Sequence, residues 1–160
     1  MSFRYLQLFF PILVGLHNAE EAICIPKWTR RSGFWFGGAQ PGVFRFAVVV
    51  FTALAFLVTF LSVIAGARSL WADLTFGYIV VVLLNALVPH IAVSVAQRTP
   101  MPGVITAAAL NLPILSFLVV LALKQDYVTR SDALNSCILV LLIGMAMIPL
   151  LFRLGKALGF

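Results

Sequence analysis

Leu16-His17-Asn18-Ala19-Glu20-Glu21-Ala22 interrupts an otherwise apolar run from Phe3 to Ile25. Whether that run crosses a membrane decides the fold. Its length suits the roughly 20 residues that a helical crossing of a bilayer needs. Yet it carries one of the chain's two histidines and two of its five acidic residues. An ionised side chain deep in hydrocarbon costs about 2.5–3.5 kcal/mol or more, so such groups face a bundle interior and are functional candidates by default. The sequence therefore predicts a first span with an inward polar face.

The rest of the chain agrees with that reading. Of its 160 residues 62% are hydrophobic and 10% charged, with a mean hydropathy of +1.09. Soluble domains carry about a quarter charged residues. Further apolar stretches at about 43–65, 74–96, 104–123 and 133–152 complete an expected all-α, polytopic membrane helix bundle of five transmembrane helices, with residues 1–160 as a single integral membrane domain. Pro26 is expected to end the first span. The basic, aromatic stretch from Lys27 to Gly38, with Trp28, suits the headgroup level as an anchor or as a cover over the site. Gln97 to Gly103, with Pro100 and Pro102, is a second break.

The net charge of +6 does not point to nucleic acid, because basic residues of membrane proteins gather in loops and touch anionic lipid. Five spans place Lys27, Arg30, Arg31, Arg45, Arg98, Arg153 and Lys156 on one side, and Arg4, Arg68, Lys124 and Arg130 on the other. The positive-inside bias then puts the C-terminus in the cytoplasm and the N-terminus outside. Thr52, Thr59 and Ser62 are expected to bond their own helix backbone. Cys24 and Cys137 read as small buried hydrophobes.

Residues three and four apart share a helix face. Glu20 and Glu21 differ by about 100° in direction, so one of them faces inward with His17. Glu21 is the expected inner partner, with Glu20 as a second ligand or a group turned to a neighbouring helix. Depth adds more. His17 lies nine residues before Pro26, His90 eight before Arg98, and Asn111 eight past Gly103. At a rise of 1.5 Å per residue all three lie roughly 12–14 Å below one membrane face. Pro89 and Pro113 sit beside two of them and should free the carbonyls of Asn85 and Ala109. The first, third and fourth spans thus surround one expected polar pocket.

His17-x-x-Glu20-Glu21 followed by Pro26 and Trp28, then Asn85, His90, Pro102-Gly103, Asn111 and Pro113, resembles the bacterial membrane family named for its HXXEE motif. The resemblance implies that His17, Glu20 and Glu21 are signature residues in a multi-spanning protein of the bacterial plasma (inner) membrane.

For function, His17, Glu21 and His90 offer two nitrogens and an oxygen to a divalent metal, Zn²⁺ or Fe²⁺, with a position left open. The expected activity is that of a membrane-embedded metalloenzyme on a lipidic or small hydrophobic substrate. His17, Glu20 and Glu21 are its expected catalytic residues, a spare carboxylate shuttling protons, and Asn85, Asn111 and Trp28 its pocket residues. A metal-free acid–base lipid isomerase is the alternative. Further ones are a b-type haem held by His17 and His90, or a small transporter or proton relay, working as an oligomer. Membrane lipids are the expected partners.

Overall fold

The structure is a computed structural model that describes residues 1–32 and 40–160, with side chains for residues 1–24 and 40–160. The described residues are helical apart from short turns, with no strand among them. A single turn, α1 (Phe3–Leu6), leads into α2 (Phe9–Ser32). Then follow α3 (Pro41–Ala65), α4 (Leu70–Gln97), α5 (Val104–Lys124) and α6 (Arg130–Ala157).

Among the described residues four helices, α3 to α6, are long and apolar enough to cross a membrane. This corrects the expected five. The physical reason is the cluster itself: His17, Asn18, Glu20 and Glu21 lower the apolarity of α2 as a whole, whichever way they point. A second correction concerns Pro26, which does not end α2; the helix continues to Ser32. A proline removes the hydrogen bond to the carbonyl four residues earlier. Here that carbonyl belongs to Ala22, and Arg45 Nε donates to it at 3.4 Å. The expected interfacial role of Lys27 to Gly38, and Trp28 as a pocket residue, lie outside the described side chains.

Local signals set the other boundaries. Ser69 caps α4, its Oγ accepting from the Ala72 N–H at 3.1 Å. Thr129 caps α6 by accepting from the Asp132 N–H at 3.2 Å. The two prolines act differently. α4 kinks at Pro89, where Val88 is non-helical (φ −132°, ψ 116°) between two helical segments. α5 stays continuous but widens to a π-helical turn over Ala107–Asn111, just before Pro113, a feature that concentrates at functional sites.

The helices pack as one bundle, with α4 against α3, α5 and α6, and α2 against α3 and the start of α5. The core joins Phe3, Phe10 and Leu13 to Ile79, Leu115 and Leu118, all buried. At Gly77 a Cβ would lie 2.5 Å from the Ser136 carbonyl oxygen, so glycine is what lets α4 and α6 touch there. Large apolar side chains such as Phe56, Phe60, Leu142 and Leu150 are exposed on the outside. An apolar exterior of this extent suits lipid, not water.

Candidate metal centre

The centre forms where α2, the kink of α4 and the first turn of α5 meet. His17 and His90 are buried, at 3% and 1% exposure. Their Nε2 atoms lie 3.2 Å apart, with the rings edge-on at 89° and their centroids 4.6 Å apart. Glu21 Oε1 is 3.2 Å from His90 Nε2. One ligand atom from each of His17, Glu21 and His90 falls within 4.8 Å of the others. The i, i+4 spacing on α2 brings His17 and Glu21 to the same side. The kink at Val88-Pro89 brings His90 to meet them.

The outer hydrogen bonds decide where the protons are. His90 Nδ1 lies 2.8 Å from the Pro102 carbonyl oxygen, which can only accept. His90 therefore carries its proton on Nδ1. His17 Nδ1 lies 2.9 Å from Thr106 Oγ1. The Thr106 hydroxyl spends its own proton on Glu20 Oε2, 2.7 Å away. His17 must then donate from Nδ1 as well. This assignment rests on the hydrogen-bond network, the usual basis for a histidine tautomer. In the neutral form, a ring protonated on Nδ1 has a lone pair on Nε2; both rings would then turn one toward each other and toward a carboxylate oxygen, with His90 Nε2 also accepting from the Asn85 amide. Three acceptors at such distances in a buried site repel unless a cation or a proton lies among them. The Asn85 amide nitrogen, 3.1 Å from His90 Nε2, approaches the same point.

Glu20 does something else. Its Oε1 accepts from the Gly103 N–H at 3.0 Å and the Ile105 N–H at 3.3 Å. Its Oε2 accepts from the Thr106 N–H at 2.9 Å. These are N–H groups at the start of α5, which have no partner within their own helix, and a carboxylate there also meets the favourable end of the helix dipole. Glu20 thus fastens α2 to α5 and, through Thr106, orients His17. Of the two roles expected of Glu20, its bonds match the group turned to a neighbouring helix. Gly103 completes the arrangement. Its φ is +86°, and a Cβ would lie 2.8 Å from His90 Cε1 and 2.9 Å from His17 Cε1.

Asn111 is fully buried, and neither its amide nitrogen nor its oxygen has a partner among the described residues. It joins no hydrogen bond of the centre. Cys24 is not in the cluster and is a free thiol. Sequence reasoning missed Thr106, the Pro102 carbonyl and Gly103. The Pro102-Gly103 break pointed to the right place, but only the crossing of α2 over α5 shows what it does.

Beside the centre lies a cavity of about 680 Å³, bounded by α2, α3, α4 and α6. His17, Asn18, Glu21 and Asn85 line it, among mostly apolar side chains. His90 lies behind them, outside the lining.

Fold and site together define an all-helical protein with long apolar helices and a buried His/Glu cluster built on a helical H-x-x-E-E sequence. The chain belongs to the HXXEE family, described as "Protein of unknown function with HXXEE motif", which matches residues 8–118. It is also 30% identical over 151 residues to "Uncharacterized protein YrkK" of Bacillus subtilis (strain 168), covering 94% of this chain and 96% of that one. No solved structure matches the chain.

Proposed function

We propose that the protein is an integral membrane protein of the bacterial plasma membrane in which His17, Glu21 and His90 hold one divalent cation, zinc or iron, and act on a lipidic or small hydrophobic substrate. The observation that carries this reading is the pair of Nε2 atoms 3.2 Å apart beside the Glu21 carboxylate. With metal–nitrogen bonds of about 2.0–2.1 Å, two ligand nitrogens on one tetrahedral ion lie about 3.3 Å apart. Two nitrogens on opposite sides of a haem iron would lie about 4 Å apart by the same bond lengths, so the spacing favours neighbouring ligands on a single ion. Each histidine has its second nitrogen held by an outer acceptor, as metal-ligating histidines do.

When bound, such an ion would polarise a carbonyl or activate a water. The chain's own residues supply the rest. Glu20 and Thr106 hold His17 in one tautomer. Pro102 does the same for His90. Asn85 stands at the cavity edge, where its amide can orient a polar group of the substrate. The apolar cavity excludes water and receives the hydrophobic part.

α2 is read as a fifth span. Its polar residues turn inward, while Phe9, Ile12, Leu16 and Ile23 form an exposed apolar stripe on the other side. The basic bias of the loops then places the C-terminus in the cytoplasm and the N-terminus outside.

A second reading is favoured by the same distance, since 3.2 Å also suits a proton shared between the two Nε2 atoms. That would be a metal-free acid–base pair with Glu21 as counter-charge. Elemental analysis of detergent-purified protein separates the two. About one zinc or iron per chain, lost in His17→Ala and in His90→Ala, is expected. A metal-free wild type after growth with added zinc and iron would overturn the metal reading in favour of the proton pair.

A further inference from the structure

We infer that the cavity is a binding site for one hydrocarbon chain of a lipid, which enters sideways from the bilayer between α4 and α6 with its polar end at His17, Glu21 and Asn85. This rests on the reading of the centre as a reaction site for hydrophobic substrates, and adds the class of substrate and its route.

The polar atoms of the cavity are distributed unevenly. Asn18 is already committed to the Val48 carbonyl at 3.2 Å and to Thr52 Oγ1 at 2.8 Å. Tyr78 donates its hydroxyl to the Phe51 carbonyl at 2.9 Å. Capacity for a polar ligand group is thus left at His17, Glu21 and Asn85 and at the amide oxygen of Asn18, whose two bonds both use its amide nitrogen. In one direction Phe44, Val48 and Phe152 pack together and close the space beyond the centre. In the other, the lining continues past Tyr78 to Leu74 on α4 and to Val58 on α3. The eleven helical steps from Asn85 back to Leu74 span about 16 Å of apolar wall. Half of a bilayer's ~30 Å hydrocarbon core is about 15 Å. The space therefore suits a single acyl-type chain better than a compact ligand.

The entry follows from how α6 packs. Its first half touches α4, where Gly77 meets Ser136 and Val140. Its last turns touch α3 instead, with Gly155 against Val43 and Phe46. Between those contacts α6 leaves the second half of α4. Leu84, Leu87 and Val88 on α4, and Ile143 and Ile148 on α6, all line the cavity and are 39% or more accessible, Val88 to 67%. The gap between these two helix segments is the inferred entry. Its rim is wholly apolar and belongs to the lipid-facing surface of two long apolar helices, so lipid is what lies against it.

Gly144 lines the cavity, and a Cβ there would meet nothing within 4 Å. Leucine at this position narrows the space, its Cβ meeting no neighbour, and favours the helix. The test uses the full-length protein in lipid nanodiscs and palmitic acid carrying a photoreactive diazirine at mid-chain. Cross-linked residues are mapped by mass spectrometry. Labelling is expected on the Leu84–Val88 and Ile143–Ile148 segments, above that on the outer face at Phe56 and Phe60, and about tenfold lower in Gly144→Leu with metal content unchanged. Should Gly144→Leu fail to accumulate, Val88→Trp at the open rim must lower the labelling in the same way. Equal labelling of outer and cavity residues, or labelling unaffected by the filling variant, would overturn the inference. So would a second copy of the chain cross-linked across the opening. Cavity labelling that persists in a metal-free protein upholds the chain site while removing the metal reading, so the two fail separately.

Discussion

Toward one end of the bundle Gln7, Ser62 and Tyr127 form a buried ring of hydrogen bonds; toward the other, His17, Glu21 and His90 meet with their acceptors facing inward. In the ring every proton has a place. Gln7 Nε2 donates to Tyr127 Oη at 3.1 Å. Tyr127 donates to the Ser62 carbonyl at 2.9 Å. Ser62 Oγ donates to Gln7 Oε1 at 2.9 Å. Such a network needs nothing added, and ties α1, α3 and the loop before α6 together. In the histidine centre the outer hydrogen bonds hold both Nδ1 atoms, and two Nε2 atoms and a carboxylate oxygen are left facing one another, with the Asn85 amide aimed at His90. Burial alone does not mark a functional site. What distinguishes these two clusters is whether the donors and acceptors balance.

Four substitutions break or sharpen that contrast, in order of falling effect. His17→Ala should abolish cation binding, from about one ion per chain to background by elemental analysis, because a ligand is lost. Thr106→Val removes the hydroxyl that orients His17. The expected cost is about 10–100-fold in cation affinity, read by competition with a chelator. At the other cluster the sign of the readout reverses. Ser62→Ala leaves Gln7 Oε1 without its donor and should destabilise the protein by about 1–3 kcal/mol. A thermal melt would register that loss, with cation content unchanged. Thr59 has a buried hydroxyl without a partner among the described residues. Thr59→Val should therefore be neutral or stabilising by up to about 1 kcal/mol, the smallest shift of the four. Loss of cation in Ser62→Ala, or a full complement in His17→Ala, would erase the distinction between the clusters.

Much of this was legible in the chain. Hydropathy marked each helical stretch, and counting residues from the Pro26, Arg98 and Gly103 boundaries put His17 and His90 at one depth before any contact was known. The helical repeat selected Glu21 as the inner carboxylate. What stayed hidden depends on helices crossing. Glu20 is one residue from Glu21, and nothing in the spacing shows that its partners are the N–H groups that open α5. Ser62 read as bonding its own helix but reaches Gln7, some 55 positions away. Thr52 does bond its own helix, donating to the Val48 carbonyl at 2.8 Å, yet it also accepts from Asn18. Hydropathy sums a helix over all its faces, so the polar cluster of α2 lowers it whichever way those residues point.

The most direct test is the protonation of the imidazoles. The chain has only two histidines, so nitrogen-15 spectra of the purified, zinc-loaded protein have four ring nitrogens to assign. The account predicts a proton on each Nδ1 and none on either Nε2, with both Nε2 resonances moving when a chelator strips the zinc. A proton on either Nε2 in the loaded protein, or Nε2 resonances indifferent to the chelator, would contradict it.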